Sequence, residues 1–299
     1  MGKILLFLII VSVSFAQNGP KNSYYDNGKL KSEEHFHSGK TDGVCSYYFE
    51  TGILKETINY SLGIKDGEDL VYYANGALKE MYNYKNDKLQ GNFRTNYTNG
   101  QLKESGTYAS GTLDGIFKNY YETGELQSVY VFVNGKKEGP AREYYANGNL
   151  KSDANFSNDM QVGIQKWYYE NGQIKSEYNF RNGTMSGAAK EYSQDGKLLA
   201  EKNLSNNFLD GMNKYYYENG ILKSEINYKN GEKFGNAKSY YEDGTLWTDQ
   251  RYDEDKLDGE TKIYRKDKSL WYIEKYEDGK LKSSKEYSEK GDIVSEKNF

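Results

Sequence analysis

Apolar and polar positions alternate along this chain, and the alternation restarts every 24 residues. Leu222 and Tyr228 lie an even number of residues apart, and Lys223, Glu225 and Asn227 take the opposite parity. Because side chains of a strand point alternately to its two faces, this pattern predicts a half-buried strand. The same strand recurs as Leu30, Leu54, Leu78, Leu102, Leu126, Leu150, Ile174, Leu198, Leu222, Leu246 and Leu270. Six residues after each comes an aromatic, with Leu204 the one exception. The preceding strand ends in paired tyrosines, as in Tyr144-Tyr145, Tyr168-Tyr169 and Tyr216-Tyr217.

Glycine marks the breaks between strands. One row runs Gly28, Gly52, Gly76, Gly100, Gly124, Gly148, Gly172, Gly196, Gly220 and Gly244. A second runs Gly43, Gly67, Gly91, Gly115, Gly139, Gly163, Gly187, Gly211, Gly235 and Gly259, with Gly19 in phase ahead of it. Both rows are assigned as structural turn glycines. A third position, from Gly39 to Gly279, holds only Gly, Asp or Asn, the residues that tolerate a left-handed backbone. Asn219-Gly220 leaves two hairpin registers open. A two-residue turn pairs Tyr217 with Leu222, and a three-residue turn with a glycine bulge pairs Tyr216 with Leu222.

The fold class expected is all-β: an elongated antiparallel β-hairpin array, a solenoid-like twisted meander of eleven repeats. Composition supports it. With 31 Tyr and 31 Gly but 2 Pro among 299 residues, the chain is too aromatic for disorder and too poor in aliphatics for a large globular core. A lone repeat would pay about 1–2 kcal/mol per residue in backbone entropy and bury only a leucine and a few aromatics, so repeats must stack. The single cysteine, Cys45, cannot close an intramolecular disulfide. The net charge of −4 lacks the basic excess of a nucleic-acid binder.

The N-terminus reads as an export signal over 1–16. Lys3 precedes the apolar run Ile4 to Phe15, which is too short to span a bilayer, and small residues at Ser14 and Ala16 set cleavage between Ala16 and Gln17. Hairpin repeats then occupy 17–263. Residues 264–299 read as degenerate repeats forming a cap, with Lys268 and Ser283 in glycine positions and Gly291 one residue early. No transmembrane segment is expected after cleavage.

The stretches YYENGQIKSEYNFRNG (168–183) and YYENGILKSEINYKNG (216–231) resemble the MORN-repeat variant, whose bacterial members include YwqK-type antitoxin proteins. The resemblance covers 19–299 and implies β-hairpin repeats with a binding or scaffolding role.

Candidate chemistry is sparse. His35, His37 and Cys45 form too small a set for a metal site and are read as solvated polar positions. Asp42, Asp66, Asp114, Asp210 and Asp258 precede glycines and are read as turn formers, not calcium ligands. The lysine row Lys31, Lys55, Lys79, Lys103, Lys151, Lys175 and Lys223 is read as pairing with neighbouring carboxylates on a wet face. No nucleophilic triad, phosphate loop or cofactor motif is present, so no enzyme activity and no cofactor are expected. Tyrosines opposite the leucines suit either a packing ladder or a partner, and Tyr120, Tyr144, Trp167, Tyr168, Tyr215, Tyr216, Trp247 and Trp271 are the candidate partner-binding aromatics. The function expected is an exported protein–protein interaction or structural module at the envelope or outside the cell. A glycan-binding module and an antitoxin-like binding protein are the alternatives.

Overall fold

A computed structural model describes residues 16–299. The expected signal segment lies, up to residue 15, outside the described residues. Strands and turns make up the described chain, and no helix occurs among these residues. Two compact units divide it, one ending at Gly124 and the other spanning Glu125–Phe299. Within each unit, strands that follow one another in sequence pair antiparallel in an open meander. In the first unit the strands run from Gly19–Tyr24 to Gly115–Tyr120, and in the second from Leu126–Val133 to Ile293–Asn298.

The first hairpin of each repeat resolves the open register. Tyr216 pairs with Leu222, the Gly220 N–H donates to the Tyr217 carbonyl at 2.9 Å, and the Tyr217 N–H donates to the Ile221 carbonyl at 2.9 Å. Gly220 has φ 82°, while Asn219 is not left-handed. This is a three-residue turn closed by a glycine bulge; a two-residue type I′ turn would need both central residues at positive φ. The second hairpin is that type I′ turn. Lys229 pairs with Glu232 around Asn230 (φ 52°) and Gly231 (φ 92°).

The second glycine row does not reverse the chain. Gly211 opens the strand Gly211–Tyr216 at φ 93°. Leu204 pairs with Leu209 and Glu201 with Lys214, so this side carries two extra residues in a bulge beside Gly211. Positive φ is as necessary there as in a turn, which is why the sequence signal is identical. The bulge also accounts for the late change of phase. Near the C-terminus Tyr276 pairs with Leu281 and Lys275 with Ser283, so only one extra residue is present and no glycine is required. Gly291 therefore arrives one residue early. The expected cap continues the hairpins through Lys280–Tyr287 and Ile293–Asn298, and Lys268 takes the glycine's left-handed place at φ 71°.

Side-chain and backbone hydrogen bonds tie repeats to their neighbours at both rows of turns. The Tyr217 hydroxyl donates to the Tyr240 carbonyl at 2.7 Å, and the same bond, 23 residues forward, joins Tyr25 to Tyr48, Tyr73 to Asn96, Tyr97 to Tyr120, Tyr145 to Tyr168, Tyr169 to Tyr192 and Tyr241 to Tyr264. Asn219 accepts from the Ile221 N–H and donates to the Glu242 carbonyl at 3.1 Å. At the other row the Gly231 N–H reaches back to the Leu209 carbonyl at 2.8 Å.

The leucine face is only half-buried. The fully enclosed positions lie between the leucine and aromatic rows, where residue type varies from repeat to repeat: Cys45, Asp69, Phe93, Ala141, Gln165, Ala189, Asn213, Ala237 and Thr261 share one row. Size is matched locally. Phe93 packs between Tyr82 and Tyr108 at centroid distances of 5.5 and 5.0 Å, and near Phe117 at 6.2 Å. Gly106 makes that room, since a Cβ there would sit 2.8 Å from the Phe93 ring and 3.2 Å from Phe117. Its backbone is ordinary, so the constraint is space alone.

Gly106→Val is therefore expected to lower stability by about 1–3 kcal/mol through overpacking. Adding Phe93→Ala should recover part of the loss, as read from denaturation midpoints of the single and double variants; a simple sum of the two losses would refute the size match.

Candidate functional site

The outward face of the second unit carries a row of alternating charge. In consecutive pairings Arg142 faces Asp153, which faces Lys166, and the row continues through Glu177, Lys190, Glu201, Lys214, Glu225, Lys238, Asp249 and Lys262. Close contacts include Lys166–Glu177 at 2.9 Å and Arg142–Asp153 at 3.4 Å. The hydrogen bond from Lys166 holds the Glu177 carboxyl below its ordinary range against a smaller opposing effect of burial. Exposed pairs of this kind contribute about 0–1 kcal/mol each.

Beside this row runs the first tyrosine of each pair. Tyr216 donates to Glu201 at 2.8 Å and Tyr240 to Glu225 at 3.0 Å. Partial burial first, then the hydrogen bond and charge of the facing glutamate, push both phenols up to about 12. Tyr168 occupies the same outward row.

The second tyrosine of each pair belongs to the turn staples. Its ring carries the lysine row: Lys31 over Tyr25, Lys103 over Tyr97, Lys175 over Tyr169 and Lys223 over Tyr217, with ammonium-to-centroid distances of 5.7, 6.0, 5.7 and 5.5 Å. The expected carboxylate pairing of the lysine row is seen at Lys79 with Glu80 at 2.8 Å and at Lys151 with Glu143 at 3.9 Å, while Glu177 and Glu225, near Lys175 and Lys223, face the Lys166–Lys238 row.

Of the candidate partner aromatics, Trp167 and Tyr215 face inward. Trp167 packs edge-on to Tyr178 at 5.7 Å, and burial followed by its bond with Tyr228 pushes the Tyr215 phenol up. Trp247 and Trp271 are exposed but take the lysine position of the stack: Trp247 lies 5.8 Å from Tyr241, and Arg265 lies 5.2 Å from Trp271. Arg265 replaces the staple tyrosine and still reaches the Tyr287 carbonyl at 2.6 Å. The cation–π pair is thus kept with its partners exchanged. Tyr120 and Tyr144 pass their carbonyl or strand pairing into the same framework, Tyr120 as acceptor of Tyr97 and Tyr144 opposite Leu150.

Cys45 is fully buried on the inward face, contrary to its reading as solvated, and burial pushes its thiol up. His35 lies on the outward face with Glu33 at 3.8 Å. Asp42 and Asp210 accept the backbone N–H groups of Leu62 and Asn230 in the next turn. No group of three His, Cys, Asp or Glu residues placed to hold a metal occurs among the described residues. Nor is any described helix long and apolar enough to cross a membrane.

The MORN repeat variant pattern matches nine stretches: 17–38, 41–61, 65–86, 89–110, 113–134, 137–158, 161–182, 209–230 and 235–254. The chain belongs to the MORN repeat variant family. Its hairpins also continue through unmatched 183–208 and beyond 254, as in Leu198–Ser205 and Leu270–Glu277. No curated protein matches the chain. Solved structures of TcdB2-TccC3 and TcdB2-TccC3-Cdc42 align with 94% and 92% of it at 13% and 12% identity, with TM-scores of 0.20 and 0.19. The Photorhabdus luminescens Tc holotoxin pore aligns with 93% at 12% identity and a TM-score of 0.15. This chain spans 16%, 20% and 18% of those three chains. Superpositions this loose carry no argument about mechanism. The family supports a repeat-based binding or scaffold module.

Two measurements test the rows of this MORN repeat variant chain. Tyr217→Phe deletes one staple and should cost about 0.5–1.5 kcal/mol, read from the denaturation midpoint. Alkaline unfolding tests the outward phenols. The folded pKa of about 12 at Tyr216 and Tyr240 lies above the unfolded value near ~10, so their contribution is complete below the unfolded value and falls as pH rises through the folded one. Tyrosinate absorbance should rise together with loss of β-structure over that interval; free titration near the unfolded value in a folded chain would contradict it.

Proposed function

We propose that the chain is a non-catalytic, exported scaffold that presents regular rows of side chains to a protein partner at the cell envelope or outside the cell. The observation that carries this reading is the recurrent stapling of repeats to their neighbours, as at Tyr25, Tyr73, Tyr97, Tyr145, Tyr169, Tyr217 and Tyr241. A Tyr hydroxyl and an Asn amide both reach carbonyls 23 residues ahead, so outward rows are held at strand spacing by the backbone. Rows positioned in this way need no further ordering on binding, which favours recognition of an extended partner. Much of the inward space is taken by packed side chains, which leaves recognition to the outward rows.

Export rests on the apolar segment Ile4 to Phe15 followed by Ala16. Fractionation with N-terminal sequencing is expected to find Gln17 as the first residue of an envelope or secreted form. Recovery of the chain in the cytoplasm with its first sixteen residues attached would overturn the location. Crosslinking in the native envelope should capture one partner, and excision of two whole repeats, 174–221, should leave a folded chain with altered capture. Collapse of that shortened chain would count against an additive scaffold.

A further inference from the structure

The alternating charge of the second unit has no counterpart in part of the first. There the same outward positions read Met81, Arg94, Ser105 and Lys118 across successive pairings. Arg94 and Lys118 flank a serine where the second unit would supply a carboxylate. Two strand spacings separate the cations by about 10 Å. They line a groove of about 560 Å³ together with Met81, Asn92, Thr107 and Ile116, and none of the residues lining it carries a carboxylate. Lys103, on the strand of Ser105, adds a third positive charge above Tyr97. The glutamate beside Ser105, Glu104, belongs to the opposite face, where it approaches Thr95 at 3.5 Å.

The polar groups are arranged to receive acceptors. The Thr107 hydroxyl donates to the Asn92 amide oxygen at 3.1 Å, which leaves the amide N–H groups for a ligand. A guanidinium presents a fork that matches a carboxylate, and an ammonium accepts a second one without fixed direction. Apolar contact is also on offer, since Ile116 is 55% exposed and Met81 lies across the groove from it.

We propose that this groove binds an acidic polypeptide segment, its carboxylates on Arg94 and Lys118 and its apolar side chains on Met81 and Ile116. Acidic polysaccharides would satisfy the cations but carry no side chains to cover the apolar residues. The inference rests on the reading of the chain as a binding array and names the chemistry of one partner segment.

The test uses the full chain and a fluorescent peptide alternating glutamate and leucine, with polygalacturonate and phosphatidylglycerol vesicles in parallel. The peptide should bind, and Arg94→Gln with Lys118→Gln should weaken it about tenfold or more. Lys190→Gln with Lys214→Gln, which touches compensated positions of the second unit, should change affinity by less than about twofold. Added salt should weaken binding to the unaltered chain more than to the groove variant. Both variants replace outward side chains, and matching melting curves will establish that they fold. Absence of peptide binding, equal loss in the two variants, or capture of polygalacturonate or vesicles through Arg94 and Lys118 in place of the peptide would overturn the proposal. Because the assay reads purified protein, a cytoplasmic location would sink the export reading and leave this one standing.

Discussion

Each repeat depends on its neighbours because its own interior is too thin to hold it. Ordering a residue costs about 1–2 kcal/mol in backbone entropy, and one hairpin with a half-buried leucine cannot offset that sum. Cross-strand pairing supplies part of the remainder, and the turn rows add ties that a plain meander lacks. Tyr217 and Asn219 both reach into the following repeat, while the Gly231 N–H reaches into the preceding one. Turns are ordinarily the loosest parts of a sheet. Here they are bonded along the array, so fraying one turn breaks bonds belonging to its neighbour.

That arrangement relaxes what the interior must be. Enclosed positions tolerate Cys45, Gln165 and Asn213 because packing, not hydrophobicity alone, decides them. Asn213 is fully buried yet satisfied, its amide donating to Gly211 and its oxygen accepting from the Asn203 N–H. Asp69 is held by Lys65 at 2.9 Å through one oxygen, while the other is enclosed without a hydrogen-bond partner. Its charge and local burial push the Glu56 carboxyl up, with burial the larger cause. Polar residues at such positions cost free energy unless paired, so their presence marks sites where the surrounding framework supplies stability.

The period and the hairpins were legible because special backbone conformations demand special residues. The Gly39 row restricts itself to Gly, Asp and Asn, and each described turn there is left-handed. Other features were illegible for equally physical reasons. Asn-Gly serves two turn types, and in the wider one Asn219 adds two side-chain bonds, one of them to a residue 23 positions away. A bulge glycine and a turn glycine share positive φ, so Gly43 and Gly52 could not be told apart by type. Trp247 and Trp271 break a row, and residue type alone does not announce the Tyr241 ring and Arg265 guanidinium stacked beside them. The most enclosed row was hidden because it repeats a position without repeating a residue.

The outward charges separate stability from recognition. An exposed ion pair adds little to folding, and several members of the Arg142–Lys262 row are exposed enough for water to screen them. Its effect on an approaching molecule is larger. Opposite charges one strand apart, about 4.8 Å, lie well inside a Debye length of about 8 Å, so their fields cancel before they reach far into solvent. A regular alternating row is therefore nearly silent to a charged partner despite its high charge density. Where Ser105 stands between Arg94 and Lys118, that cancellation is lost and two cations act with the same sign. On a surface built from repeats, the place where a compensating residue is missing carries more information than the many places where it is present.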